Sequence, residues 1–182
     1  MSKQSIILIE DTAEEEWCIS INGSNPNPDK CFVMKDKKNA IQLFDFLTET
    51  KKSKVFLGGT CNESSWRKDL IPMLDMNYFN PVVDDWNKEA QQEEEYQKEI
   101  CTYHLYTITP KMTGVYSIAE VVDDSNKRPG GTIFCILSED ERDIFTEGQV
   151  RSLSAVADII LRNGGEVFYT LNDVAKFINQ KD

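Results

Sequence analysis

Short apolar runs scattered through the first fifty residues give way, after a Lys51-Lys52-Ser53-Lys54 junction, to a regular alternation of strand-like and helix-like segments. In the first part, residues 6–9, 17–21 and 31–34 read as short strands. The SNPNPD stretch at 24–29 reads as a turn by its Asn and Pro content. Residues 39–48 carry Ile41, Phe44 and Leu47 roughly on one face, which predicts a helix. Residues 1–50 are therefore expected to form a small α+β unit.

From residue 52 to residue 182 the pattern predicts a second unit. Strands are expected at 55–58, 78–83, 105–109, 132–137 and 166–170. Between them lie helical stripes: Trp66, Leu70, Met73 and Leu74 within 64–74, a highly charged helix at 87–101, and a further helix at 115–125. Residues 132–137 are continuously apolar, as a strand buried on both faces is. Thr146 and Gln149 fit a capping box, and Gly164-Gly165 follow the last turn of the helix it opens. Thr170 is placed to cap a final helix carrying Val174, Phe177 and Ile178. Five βα units with short connections call for an open parallel sheet covered by helices on both faces. The expected strand order is 2-1-3-4-5, the flavodoxin-like arrangement, in which ligands bind outside the carboxyl ends of the strands.

Composition narrows the class of ligand. The 182 residues carry a net charge of −11, which repels phosphate backbones and argues against a nucleic-acid polymer while leaving room for a single nucleotide. The five cysteines are Cys18, Cys31, Cys61, Cys101 and Cys135. They are widely spaced and contain no CxxC pair, so neither a disulfide framework nor a zinc site is expected, and the reading is a cytoplasmic protein. The opening MSKQSIILIED has too short an apolar stretch for a signal peptide. No run is long enough to span a bilayer, so no membrane is expected as a partner.

The ligand edge selects three loops. The first holds Gly58, Gly59 and Thr60, whose glycines let backbone approach a ligand closely, or simply make a tight turn. It has no GxxxxGK[ST] and is not a phosphate loop. The second runs from Asn80 to Trp86. Asp84 and Asp85 there could bind sugar hydroxyls or orient a nucleophile, or cap the charged helix, and Trp86 could stack on a base or anchor packing. The third runs from Thr109 into the next helix and includes Tyr116 and Glu120. The positive end of that helix would keep the Glu120 carboxylate ionised, able to attack an anomeric carbon, although alone it would read as a surface acid. His104, the single histidine, precedes its strand at the opposite end and reads as structural, which argues against a Ser-His-Asp or Cys-His triad. Arg67 and Arg128 could each meet a phosphate or be ordinary surface arginines.

Four pieces, VFLGGT (55–60), SWR (65–67), FNPVVDDW (79–86) and GVYSIAE (114–120), resemble in order and spacing the nucleoside 2-deoxyribosyltransferase-like family. The resemblance covers the α/β part and implies a flavodoxin-like fold, a small-molecule nucleoside or nucleotide as substrate, no external cofactor, and a homo-oligomer that shares pocket residues. It implies Glu120 as the glutamate that forms a glycosyl-enzyme intermediate before a second base or water takes the sugar. Gly58, Gly59 and the 80–86 loop would be pocket walls. The chain departs from the family at three places. Gly114 stands where members carry an aspartate about six residues before the nucleophile. Tyr103-His104 replace an aspartate near the third strand, and Phe56 stands where many members place a tyrosine. Three functions follow, in this order: transfer or hydrolysis at an N-glycosidic bond, silent binding of a nucleotide-like signal, and a protein-interaction module using the acidic surface and residues 1–50.

Overall fold

The computed structural model describes residues 6–11, 16–21, 31–35, 40, 43–44, 53–83, 85 and 87–181. The chain divides into two units, Met1–Lys52 and Ser53–Asp182. In the first, strands β1 (Ile6–Asp11), β2 (Glu16–Ile21) and β3 (Cys31–Met34) form an antiparallel sheet in the order β1-β2-β3. Ala40 and Phe44 are helical, in the segment predicted as a helix. Ile41 and Leu47 and the 24–29 turn lie outside the described residues.

The second unit is an open sheet of five parallel strands. In chain order these are β4 (Lys54–Gly59), β5 (Asn77–Phe79), β6 (Tyr103–Ile108), β7 (Thr132–Ile136) and β10 (Glu166–Phe168). Across the sheet they run β10-β7-β6-β4-β5, which is the flavodoxin-like order expected from the alternation. Helices α1 (Trp66–Leu70), α2 (Lys88–Ile100), α3 (Tyr116–Lys127), α4 (Glu147–Asn163) and α5 (Leu171–Asn179) complete the layers.

The two-residue side-chain period of strands makes two cores. Val55, Leu57, Leu105, Ile133 and Cys135 point to one face, where α1 and α5 cover them with Trp66, Leu70, Val174 and Ile178. Phe56, Tyr106, Ile108, Phe134 and Ile136 point to the other, against Val121 of α3 and Leu153, Ala157 and Ile160 of α4. β7 is buried on both faces, which is why it reads as a continuous apolar run.

Three local expectations are corrected. The second strand was expected to reach residue 83 but stops at Phe79. Pro81 has no N–H for a ladder, and the Asn80 side chain takes the Val82 N–H at 3.2 Å. Residues 80–83 thus become a loop beside an edge strand, with Val82 and Val83 about half exposed. The helix expected over 64–74 ends at Leu70, and a 3₁₀ turn at Ile71–Met73 containing Pro72 finishes it. A hairpin of β8 (Glu139–Asp140) and β9 (Asp143–Ile144) had no apolar alternation to announce it. By contrast Thr146 and Gln149 form the capping box and Gly164 closes α4 in the left-handed conformation, as the sequence indicated.

A buried polar cluster joins α3 to the sheet. Asp124 accepts hydrogen bonds from Tyr106 Oη at 2.5 Å and His104 Nδ1 at 2.7 Å, and pairs with Arg128 Nε at 3.2 Å. Arg128 Nη1, which can only donate, faces His104 Nε2 at 3.4 Å, so the ring proton belongs on Nδ1, toward Asp124. Burial opposes the charge on Asp124, but the bonds from His104 and Tyr106 and the Arg128 charge outweigh it and hold the carboxyl below its ordinary value of 3.8. A depressed folded-state value means that the stabilisation is present above the unfolded value and lost as pH falls through the folded one. Wild-type Tm should therefore drop as pH falls below about 4. Asp124→Asn, less stable at neutral pH, should show a shallower drop over that window. Equal slopes for the two proteins would remove Asp124 from the acid response.

Candidate functional site

Glycine at the end of β4 begins the site. Gly59 has φ +117°, and a Cβ there would lie 2.1 Å from the Thr107 carbonyl oxygen of β6. A Cβ at Gly58 would touch the Phe56 and Tyr106 rings at 2.9 Å. The glycine pair therefore lets the chain turn out of the sheet without leaving the neighbouring strand, and Thr60 N still donates to Thr107 O at 2.9 Å.

The SWR piece holds that turn. Trp66 Nε1 and Arg67 Nη1 both donate to the Thr60 carbonyl, at 2.8 and 2.7 Å. Arg67 Nε and Nη2 reach the Leu57 carbonyl at 3.0 and 2.9 Å, and the guanidinium stacks on the Trp66 ring at 4.2 Å. Arg67 is 5% exposed and makes no ion pair among the described residues. Burial pulls its guanidinium below the ordinary value, against the opposing influence of Cys61 and Glu94. It is a buried clamp on the loop rather than a surface arginine, three of its N–H groups serving backbone carbonyls, and it also lines the cavity that opens beyond the turn.

Beyond this turn a cavity of about 540 Å³ opens at the carboxyl edge of β4, within the range of small-molecule sites. Gly58, Gly59, Tyr116 and Glu120 line it together. Pro81, Val82 and Val83 supply an apolar wall from the loop after β5. Gln91, Glu94, Glu95 and Lys98 supply a polar wall from α2, and Phe56 lies below.

Other residues singled out in the sequence fall elsewhere. Thr60 is buried, its hydroxyl accepting from Thr109 N at 3.0 Å, and it does not line the cavity. Asn80 and Asp85 do not line it either. Asp85 is exposed, and the cap of α2 is Asn87, whose side chain accepts from Ala90 N. Asp84 and Trp86 lie outside the described residues. An added side chain at Gly114 meets nothing within 4 Å.

Glu120 stands in the second turn of α3, past the first turn where the helix dipole acts most strongly. Its partner is instead Lys98 of α2, whose Nζ donates to Oε1. The Glu120 side chain is 11% exposed and that of Lys98 20%. Lys98 also lies over the Phe56 and Tyr106 rings, 5.4 and 5.8 Å from their centroids. Glu120 Oε2 has no hydrogen-bond partner among the described residues. The α2 helix is tied in place by Lys54 Nζ bonding Gln97 Oε1 at 2.7 Å and by Arg128 Nη1 bonding the Lys98 carbonyl at 2.9 Å.

Sequence reading passed over the α2 wall because its charges resembled a solvated face. Gln91, Glu94, Glu95 and Lys98 are spaced i, i+3, i+4 and i+7 and share one stripe, but Gln92, Glu93 and Glu99 make the other faces polar too, so residue type did not set that stripe apart. Among the described residues no group of three or more His, Cys, Asp or Glu could hold a metal ion, and no helix is long and apolar enough to cross a membrane.

Residues 52–122 match the model of the family described as nucleoside 2-deoxyribosyltransferase like. The matched span contains the glycine turn, the Trp66–Arg67 clamp, both cavity walls and Glu120. No curated protein and no solved structure matches the chain.

Proposed function

We propose, starting from the family match over residues 52–122, that the cavity takes a nucleoside or nucleotide and cleaves its N-glycosidic bond, passing the ribosyl or deoxyribosyl group to a second base or to water. The observation that carries this reading is the placement of Glu120. Its carboxylate lies in the cavity wall, with Lys98 on one oxygen and the other without a protein partner among the described residues. A carboxylate so placed can attack C1′ and hold the sugar as a glycosyl ester. Lys98, which also lines the cavity, fixes its orientation through the bond to Oε1. The base would lie against Val82, Val83 and the exposed ring of Tyr116, an apolar wall suited to a flat heterocycle. Asp84 is assigned to the sugar hydroxyls and Trp86 to the base by their place in the loop after β5; Asp85, exposed and outside the cavity lining, is given no part. A homo-oligomer belongs to the same reading: a second copy would cover Val115 and Tyr116, 76% and 73% exposed.

One observation favours the binding-only alternative: the Lys98 pair occupies an oxygen of Glu120, and no acid stands at position 114 to offset it. Incubation with a panel of nucleosides and nucleotides, with chromatography of the products, separates the two. The catalytic reading predicts released free base, and a new nucleoside when a second base is added. Saturable binding without release of base from any member of the panel would establish binding only.

A further inference from the structure

We infer that Glu94 is the proton donor to the departing base, so that the cavity works with two carboxyl groups in different roles, Glu120 on α3 as nucleophile and Glu94 on α2 as acid. This rests on the reading of the cavity as a site of N-glycosidic cleavage and assigns the second half of its chemistry.

The cavity wall holds three acids, Glu94, Glu95 and Glu120, with Lys98; of these Glu95 is exposed and accepts from Gln91 Nε2 at 3.1 Å, whereas Glu94 is half-buried. Glu94 and Lys98 are i, i+4 on α2, so they project from one face about one turn apart. Both line the cavity that Glu120 lines from α3. Lys98 gives its bond to Glu120. Glu94 has neither an ion pair nor a hydrogen bond among the described residues, although its neighbour Glu93 bonds Gln97 at 2.7 Å and Lys98 is committed. Because α2 begins after the carboxyl end of β5, Glu94 lies one turn nearer the ligand edge than Lys98.

The electrostatics of Glu94 act in the same sense. Burial and then the charge of Glu120 push its carboxyl upward, Glu95 adding to this, while Lys98 and Arg67 oppose it. Upward is the direction a proton donor requires.

The chemistry then balances. A Glu120 oxygen forms a bond to C1′ while the C1′–N bond breaks and its electron pair goes to the base nitrogen. The Glu94 proton passes to the base, which departs neutral and leaves Glu94 as carboxylate. In the second half, water or the N–H of an incoming base gives its proton to Glu94 as its lone pair forms a bond to C1′. As that bond forms the C1′–O bond to Glu120 breaks, its electron pair returning to the carboxylate, and both residues return to their starting states.

The test compares leaving groups. Glu94→Gln keeps size and polarity on a partly exposed helix position but carries no transferable proton. On ordinary nucleosides kcat should fall by roughly 100- to 10,000-fold. On 4-nitrophenyl 2-deoxyriboside, whose phenolate leaves without a proton, the loss in the rate of phenolate release should be at least about tenfold smaller. Equal losses on the two substrates, or a Glu94→Gln protein as active as wild type on nucleosides, would overturn the proton-donor role while leaving the cleavage reading intact. A wild-type protein that releases neither base nor phenolate would overturn both.

Discussion

Glu120→Gln is expected to lower base release by more than about 10,000-fold while the affinity for nucleoside stays within a few-fold of wild type. Glutamine keeps the shape and can still accept the bond from Lys98, so the α2 wall keeps its position. What it lacks is the charge that attacks C1′, and an interaction made only in the transition state appears in kcat rather than in binding. The substitution also leaves the Lys98 ammonium without its carboxylate, with Glu94 and Glu95 the acids on the same helix face. Glu120→Ala is the poorer variant because it adds room for ligand as well. Single-turnover rates with titration calorimetry on both proteins would check the expectation. Base release at the wild-type rate by Glu120→Gln would remove this residue from the mechanism.

Gly59→Ala is expected to cost more than about 4 kcal/mol, enough to unfold a domain of ordinary stability. The Cβ would lie 2.1 Å from the Thr107 carbonyl oxygen and 2.7 Å from the Thr107 nitrogen. These are backbone atoms of the neighbouring strand and cannot swing aside. The same carbonyl accepts the Thr60 N–H, so relief of the clash opens the β4–β6 ladder at the mouth of the site. The φ of +117° adds strain of its own for any residue with a side chain. Gly58→Ala meets only ring carbons of Phe56 and Tyr106 and should cost about 1–3 kcal/mol as the rings shift. Gly114→Ala, with nothing within 4 Å, should change stability little. Urea unfolding of the three variants should give that order. Gly59→Ala as stable as Gly114→Ala would show that the turn is not built as described.

The parallel sheet was legible because its evidence is periodic. Ile133 and Cys135 for one face, and Phe134 and Ile136 for the other, make in β7 an unbroken apolar run of the kind a doubly covered strand requires. The second strand was read too long because Val82 and Val83 are apolar and follow a strand, whereas Pro81 and the Asn80 side chain end the ladder before them. Those valines belong to the cavity instead. Gly58, Gly59, Tyr116 and Glu120 were found from topology, since the carboxyl edge of the sheet gathers residues distant in sequence. Arg67 could not be assigned from sequence because a clamp on backbone carbonyls leaves no trace in residue type. Lys98 and Glu94 were missed for another reason: a helix wall facing a polar cavity carries the same composition as one facing water.

The central claim is that Glu120 holds the sugar covalently between departure of one base and arrival of the next. Rapid acid quench of the wild-type protein with a 2-deoxynucleoside, followed by proteolysis and mass spectrometry, tests it directly. The account predicts one deoxyribosyl group on the peptide containing Glu120, lost when a second base is added before the quench and absent from Glu120→Gln. Release of base with no adduct on that peptide, or with the adduct on another, would contradict it.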